Sequence, residues 1–323
     1  MPELRFDVLR NEWVAYATER NDRTFLPTDY CPLCPSGPGG RSEVPLADYE
    51  IVVFENRFPA FGPDRVGGRP VRPPSTGCEV IVYTPEHDLT LAQLQPERVK
   101  LLIDVWADRY KDLGSRPEVT YVYIFENKGE EVGVTLHHPH GQIYAMPFVP
   151  PFIASELRAA HERLESGGGC LHCEQITRES SGPRMVFAGD AMAAFVPDAA
   201  RWPYEVHLYP RRHVPSIDAL DDGERTELAA ALLRLTRAYD EHFGFSTPYV
   251  MALHQAPTDG KAWPEAHLHF EFYPPHRRPD RLKYLAGVEL GAGTFVNDTR
   301  PEDTAGQLRN AAEAVLSRPL APA

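Results

Sequence analysis

The apolar positions of the chain form two long helical patterns, each flanked by runs that have the character of strands. In the first half, one helix face is marked by Val99, Leu102, Ile103, Trp106, Tyr110 and Leu113. In the second half, a similar face is marked by Leu228, Leu232, Leu235, Tyr239 and Phe243. Both sets follow the i, i+3, i+4, i+7 spacing of a helix with one buried face. The pattern therefore predicts one long amphipathic helix between strands in each half.

The strand-like runs around these helices repeat in the same order. CEVIVYTPEH and TYVYIFENKG flank the first helix, whereas EVHLYPRRH and PYVMALHQAP flank the second. A C-x-x-C pair comes first and an H-x-H sequence comes last in each half. Chance agreement of a few elements is the alternative, but the matched cysteines and histidines favour an internal duplication. We expect an α+β fold, an antiparallel sheet with helices packed on it, divided into residues 1–150 and 151–323.

Two further segments have helical patterns outside the repeat. Residues 151–169 predict a short helix that joins the two halves. The segment after residue 301 predicts a helix as well, and we expect it to be peripheral.

Composition limits the classes of partner. The 323 residues carry a formal net charge of −13, so a broad surface that neutralises DNA or RNA is not expected. No run of about 18 uncharged apolar residues occurs, and the first residues, MPELRFDVLRNEW, carry charges where a signal peptide is apolar. We therefore expect a cytoplasmic protein with neither a nucleic-acid nor a membrane partner.

Four of the five cysteines lie in two C-x-x-C pairs, CPLC and CLHC. In a long cytosolic chain such pairs favour a metal site over disulfides, although a redox pair or two buried thiols remain alternatives. Cys31 and Cys34 need two more ligands for a tetrahedral zinc site, and His87 and His138 are the candidates. Cys78, alone in a strand-like run, is expected to be a small buried apolar residue.

The stretch VGVTLHHPHGQIYAMP contains the densest group of polar side chains. His138 and His140 are two residues apart, so on a strand both point to one face, and Gln142 shares it. One imidazole can then hold a metal while its neighbour stays free. A free neutral imidazole is a competent nucleophile towards phosphorus, and a glutamine amide can donate to a phosphoryl oxygen.

The sequence H-P-H-G-Q-I-Y resembles the active-site motif of galactose-1-phosphate uridylyltransferases in the histidine triad superfamily, and the resemblance extends from about Trp13 to Glu289. It implies two histidine-triad-like halves. It also implies that His140 takes the uridylyl group from UDP-glucose and passes it to galactose 1-phosphate, while Gln142 binds the phosphoryl oxygens. The implied zinc ligands are Cys31, Cys34, His87 and His138, the set that spacing proposes.

The resemblance also implies substrate contacts and a homodimer whose active site is completed across the interface. The implied substrate-binding residues are Arg20, Arg23, Asn56, Asn127, Gly133, Val134, Thr135, Lys283, Tyr284 and Glu289. His137 has no family role and is expected only to pack or bond locally. Val288 stands where the family usually has tyrosine and Phe295 where it has glutamine, so a preference for galactose is less secure than uridylyl transfer.

A second metal is expected in the second half. By the duplication, Cys170, Cys173, His213 and His267 mirror the first zinc set. The alternative set is Glu156, His254, His269 and Glu271, which resembles a glutamate-and-histidine site for an iron-type metal in many family members but has Glu271 for the last histidine. In a further alternative these histidines only bond carboxylates.

Two other functions compete with uridylyl transfer. One is a related nucleotidyltransferase or phosphorylase that acts on ADP-glucose or a diadenosine polyphosphate. The other is a zinc-stabilised nucleotide-binding protein without turnover. The retention of His140, Gln142 and the arginine pair favours an enzyme.

Overall fold

The computed structural model describes residues 3–27, 29–37, 39–61 and 77–317. Its strands are β1 (Glu3–Asp7), β2 (Glu12–Tyr16), β3 (Val52–Glu55), β4 (Cys78–Val82), β5 (Tyr121–Lys128), β6 (His140–Met146), β7 (Met185–Ala188), β8 (Met192–Phe195), β9 (Val206–Pro210), β10 (Tyr249–His254), β11 (His269–Tyr273), β12 (His276–Arg278) and β13 (Arg281–Leu282). Its α-helices are α1 (Pro96–Gly114), α2 (Pro151–Glu165), α3 (Leu171–Glu179), α4 (Asp222–Phe243), α5 (Gly287–Ala292) and α6 (Pro301–Leu316).

Nine strands form one antiparallel sheet in the order β3-β4-β6-β5-β10-β11-β9-β8-β7. The central pair, β5 and β10, joins the two halves, and on either side the order of strands is repeated outwards. The predicted α+β class with two duplicated halves is therefore confirmed. The division of the chain into domains at residue 150 stays a prediction.

Strand register identifies the equivalent positions of the halves. Gln142 on β6 lies opposite Phe125 and Val80, whereas Glu271 on β11 lies opposite Ala252 and His207. Gln142 and Glu271 therefore occupy the same place. Because side chains alternate along a strand, the equivalence extends two residues in each direction. The further matched pairs are His140 with His269 and Tyr144 with Tyr273.

The two predicted long helices, α1 and α4, pack on one face of this sheet. The apolar positions that marked each helix face are all buried in a single core cluster. Helix α4 begins with a capping box in which Asp221 accepts from the Glu224 backbone, and it ends at Gly244 in the left-handed conformation. The opposite face of β6 carries His140, Gln142 and Tyr144. The core therefore fixes the strand that holds these three polar side chains.

The C-terminal helix differs from the expectation. Helix α6 is not peripheral, because it packs against α4 and β7. Its buried side chains are Thr304, Ala305, Leu308, Ala311 and Ala312. Small residues at this spacing let the two helix backbones approach closely, and Arg309 ties the helix to the Met185 carbonyl at 2.9 Å.

Other differences concern short elements. The hairpin of β1 and β2 was not predicted, and the linking segment 151–169 forms a helix only as far as Glu165. Cys78 is buried, as expected. Among the described residues no helix has both the length and the apolar character that crossing a bilayer requires. The cytoplasmic location stays a prediction.

Candidate active site

His140 stands at the start of β6, where the sheet fixes its imidazole. Its Nδ1 lies 2.8 Å from the His138 carbonyl oxygen, so Nδ1 carries the proton and donates. Burial lowers the pKa of His140, which favours the neutral ring. The neighbouring Gly141 leaves room for the Tyr83 hydroxyl, because a Cβ there would lie 2.3 Å from that oxygen. The result is a neutral imidazole whose Nε2 lone pair is available for attack.

A cavity of about 200 Å³ opens over His140 and Gln142. Its walls include seven of the ten predicted substrate-binding residues, namely Arg20, Arg23, Asn56, Asn127, Gly133, Val134 and Thr135. A second cavity of about 540 Å³ shares His140, Asn127 and Val134 with it and extends towards Lys128 and His87. The imidazole therefore lies where two polar cavities meet.

The Gln142 side chain is held by two donors. The Tyr144 hydroxyl lies 3.3 Å from Gln142 Oε1, and Asn56 Nδ2 lies 3.5 Å from the same oxygen. Arg20 Nη1 donates to the Tyr144 hydroxyl at 3.1 Å and to the Phe58 carbonyl at 3.2 Å. Because the amide oxygen is occupied, the amide nitrogen is left to face the cavity.

Arg23 differs from Arg20 in its contacts. Within the described ranges, its guanidinium donates no hydrogen bond that would compete with an anion. Burial and the nearby Arg20 charge lower the pKa of Arg23, although an arginine at this site still stays protonated. Two guanidinium groups side by side suit an anionic ligand such as a nucleotide phosphate.

The first metal set is assembled as spacing predicted. Cys34 Sγ lies 3.4 Å from His87 Nδ1 and 3.6 Å from His138 Nδ1, and Cys31 Sγ lies 3.9 Å from His138 Nδ1. Zinc bonds of about 2.3 Å to sulfur and about 2.0 Å to nitrogen at tetrahedral angles separate such atoms by about 3.5 Å. His138 Nε2 donates to the Thr84 carbonyl at 2.8 Å, which directs Nδ1 towards the thiols.

The corresponding set of the second half has almost the same geometry. Cys173 Sγ lies 3.5 Å from His267 Nδ1 and 3.7 Å from His213 Nδ1, and Cys170 Sγ lies 3.7 Å from His267 Nδ1. His267 Nε2 contacts the Pro210 carbonyl at 2.9 Å. Burial lowers the pKa of His267 to about 4, so its ring is neutral and suited to a metal.

The alternative set lies close to it but is a separate group. The ligand atoms of Glu156, His254, His269 and Glu271 lie within 4.8 Å of one another. Burial opposes a charge on His254, but Glu156 and Glu271 outweigh it and raise its pKa to about 9. The cluster is thus satisfied by ion pairs, with His254 Nδ1 at 2.8 Å from Glu156. The sequence offered the two sets as alternatives, and the structure assembles both as separate groups of potential ligands.

The other three predicted substrate-binding residues, Lys283, Tyr284 and Glu289, do not line this cavity within the chain. Lys283 is buried and contacts Glu289 at 3.4 Å and the Val296 carbonyl. Tyr284 is 72% exposed beside them. The Arg201 guanidinium carbon lies over the Phe295 ring, 5.3 Å from its centroid.

His137, for which only a local contact was expected, lies with its Nε2 3.4 Å from a Glu130 carboxylate oxygen.

Sequence reasoning missed three residues of the site. Tyr144 was detectable, because it follows Gln142 by two residues and a strand puts both on one face. Glu43 and Arg57 also line the cavity of about 200 Å³. Both residues lie in loops, and no local sequence pattern predicts where a loop will lie in the fold.

Comparisons with known proteins cover nearly the whole chain. Residues 2–150 match the family model described as "Galactose-1-phosphate uridyl transferase, N-terminal domain", and residues 158–318 match its C-terminal counterpart. A galactose-1-phosphate uridylyltransferase of Thermotoga maritima is 39% identical over 96% of this chain and 98% of its own length.

Solved structures resemble the fold as well. A uridylyltransferase structure aligns with a TM-score of 0.86 at 36% identity, over 97% of this chain and 99% of its own. An ADP-glucose phosphorylase of Arabidopsis thaliana aligns with a TM-score of 0.73 at 25% identity, over 96% and 98%. The stronger likeness is thus to the uridylyltransferase.

Proposed function

The chain belongs to the galactose-1-phosphate uridylyltransferase family, and on that premise we propose that the cavity at His140 carries out uridylyl transfer. The protein is a nucleotidyltransferase that converts UDP-glucose and galactose 1-phosphate into glucose 1-phosphate and UDP-galactose. The observation that carries the assignment is the cavity in which His140 and Gln142 meet three arginines and two asparagines.

The first displacement starts at His140. Its Nε2 lone pair forms a bond with the α-phosphorus of UDP-glucose as the bond from that phosphorus to the bridging oxygen breaks. Glucose 1-phosphate leaves with the electron pair, and a uridylyl-histidine remains. No proton has to leave Nε2, because the proton resides on Nδ1 and is held by the His138 carbonyl.

The second displacement regenerates the imidazole. A phosphate oxygen of galactose 1-phosphate attacks the same phosphorus, the N–P bond breaks, and its electron pair returns to Nε2. Gln142 donates to a phosphoryl oxygen in both transition states, and Arg23 balances the phosphate charge. Asn56, Asn127 and the 133–135 loop contact the nucleotide.

We propose zinc in both Cys₂His₂ sets. The donor sets and their spacing fit tetrahedral zinc, and a closed four-ligand site leaves no position for substrate. In the first set, Cys31, Cys34, His87 and His138 would hold the zinc, which would fix His138, whose carbonyl holds His140. The other set, around Glu156, is proposed only as the alternative second metal site.

The homodimer is likewise a proposal. The C-terminal segment exposes Tyr284, Val288, Leu290 and Val296, and we propose that a second copy covers these apolar side chains. The partner's C-terminal segment would then complete the active site. Sedimentation should give a dimer, and Leu290→Asp should weaken it, whereas Leu316→Asp, at another exposed leucine, should not. A monomeric wild type would refute this proposal.

One experiment separates the candidate functions. The purified protein is incubated in turn with UDP-glucose, ADP-glucose and diadenosine tetraphosphate, and intact mass reports any covalent nucleotidyl adduct. We expect a uridylyl adduct and glucose 1-phosphate from UDP-glucose. If an adenylyl adduct forms in preference, the protein is a phosphorylase or adenylyltransferase. If no donor gives an adduct, the protein binds nucleotides without turnover.

A further inference from the structure

We propose that Tyr144 is a positioning residue that fixes the Gln142 amide and couples it to Arg20. The inference rests on the proposed function of the cavity. It starts from three contacts, in which Arg20 donates to the Tyr144 hydroxyl, Tyr144 donates to Gln142 Oε1, and Asn56 approaches the same oxygen.

The direction of these bonds follows from their chemistry. A guanidinium only donates, so the Tyr144 oxygen must accept from Arg20. The single phenolic proton is then free to point at Gln142, whose oxygen accepts it at 3.3 Å. A Gln142 amide rotated by half a turn would instead present its NH₂ group to Asn56 Nδ2, which is also a donor. The chain of bonds therefore selects the rotamer in which the NH₂ group faces the cavity.

The Tyr144 ring is itself held in place. Its side chain is buried, and its ring packs edge-on against Phe125 at 4.9 Å and against Phe61 at 5.6 Å between centroids. Burial raises the pKa of the phenol, so the proton needed for donation is retained. Because the strand places Tyr144 two residues after Gln142, the contact is built into β6.

Such a chain of bonds has a consequence for the reaction. A charged donor polarises the hydroxyl, and the hydroxyl in turn polarises the amide, so Gln142 becomes a better donor to a phosphoryl oxygen. Arg20 would thus act partly through Tyr144, while Arg23 faces the anion directly. This division distinguishes the two arginines, which the sequence treats alike.

The matched tyrosine of the second half, Tyr273, allows the contact of Tyr144 to be compared between the two copies. Tyr273 contacts Glu271 as Tyr144 contacts Gln142, so the tyrosine-to-strand contact itself occurs in both copies. In the described part of the second half, however, Tyr273 has no arginine donor that corresponds to Arg20. The cation is the component specific to the copy with the proposed active site.

The test is a double-mutant cycle on Gln142 and Tyr144. Tyr144→Phe removes only the hydroxyl, and we expect kcat to fall about three- to tenfold in each half-reaction, the size of one neutral hydrogen bond, with KM for UDP-glucose changed less than twofold. In the Gln142→Ala background the same change should have little further effect, since no amide remains to be oriented. Tyr123→Phe is the matched control, because Tyr123 lies opposite Tyr144 in the sheet and should leave kcat unchanged.

Several results would overturn the inference. Fully additive losses in the double variant, or an unchanged kcat in folded Tyr144→Phe, would show that the hydroxyl does not act through Gln142. If Tyr144→Phe fails to fold, Arg20→Met replaces it in the cycle. Part of its effect should then vanish in the Gln142→Ala background, and complete additivity would refute the coupling. A wild type without a uridylyl adduct would refute the proposed function itself, and the inference with it.

Discussion

The two halves share one strand framework but present different side chains at matched positions. In the first half, His140 and Gln142 line an open cavity of about 200 Å³, and His140 also lines one of about 540 Å³. The second has His269 and Glu271, and Ile153, Glu156 and Leu157 of α2 line the cavity of about 10 Å³ that remains beside His269. The shared arrangement of strands is therefore not sufficient to form an open cavity at the matched histidine.

The replacements in the second half do not suit phosphoryl transfer. His269 Nδ1 contacts the His267 carbonyl at 2.9 Å, as in the first half, but its Nε2 faces Glu156 and Glu271. A carboxylate at the Gln142 position repels a phosphate and cannot donate when ionised. Nearby histidines hold the pKa of Glu271 well below its usual range despite burial, so it carries that charge.

The sharpest test of this contrast exchanges the two matched histidines separately. His140→Asn should abolish the uridylyl adduct and lower turnover by at least about 10⁴-fold, as expected for loss of a nucleophile. His269→Asn should keep the adduct, with a lower melting temperature from the broken ion-pair cluster. Intact mass and thermal denaturation measure both. Adduct formation by His140→Asn would contradict the assignment.

The next test copies the second half into the first. Gln142→Glu should lower kcat by about 10²- to 10³-fold, because a donor to the developing charge is replaced by a negative group. The reciprocal change, Glu271→Gln, should leave kcat within about threefold. Steady-state kinetics on folded variants measures both. Equal losses would mean that the halves are not functionally distinct.

Metal content tests what the halves share. We expect two zinc ions per wild-type chain and one in either Cys34→Ser or Cys173→Ser, by elemental analysis. The first variant should lose activity along with stability, because the proposed zinc would hold His138, whose carbonyl contacts His140. The second should lose mainly stability. One zinc in the wild type that is unaffected by Cys173→Ser would remove the second site.

The smallest expected effect concerns Glu126, a carboxyl buried beside Tyr83 that lines the cavity of about 540 Å³. Burial raises the pKa of Glu126 from 4.5 to about 7. Its contribution to stability is fully present below pH 4.5 and is lost as pH rises through 7, since only the unfolded chain releases the proton between these values.

The variant Glu126→Gln should remove this pH dependence. Between pH 5 and 8 the unfolding free energy of the wild type should fall by roughly 2–3 kcal/mol relative to the variant. Denaturant titrations at several pH values measure the difference, and Glu97→Gln, at an exposed carboxyl, serves as the control. Parallel pH profiles of wild type and Glu126→Gln would show that Glu126 ionises normally.

Periodicity predicted the two long helices, their buried faces and the flanking strands, because these depend on local apolar spacing. It did not predict the α6 contact, since the small side chains of Ala305 and Ala312 become informative only once α4 lies opposite them. Likewise, no local pattern announced the β1–β2 hairpin.

For the candidate site, the spacing of CPLC, His87 and HPH sufficed to propose one metal set, and resemblance implied the substrate residues. The roles of Tyr144 and Arg20 could not be deduced in this way. Their hydrogen bond joins residues that are 124 positions apart in the sequence.

The sequence by itself determined the duplication, the metal-ligand order and the side chains available at each matched strand position, because residue type and alternation along a strand are local properties. Only the tertiary structure decided which copy is open. That outcome depends on where α2 lies over the sheet and on which side chains from distant loops meet His140. Packing brings those groups together across long sequence separations, and the spacing of residues along the chain does not predict which distant groups will meet.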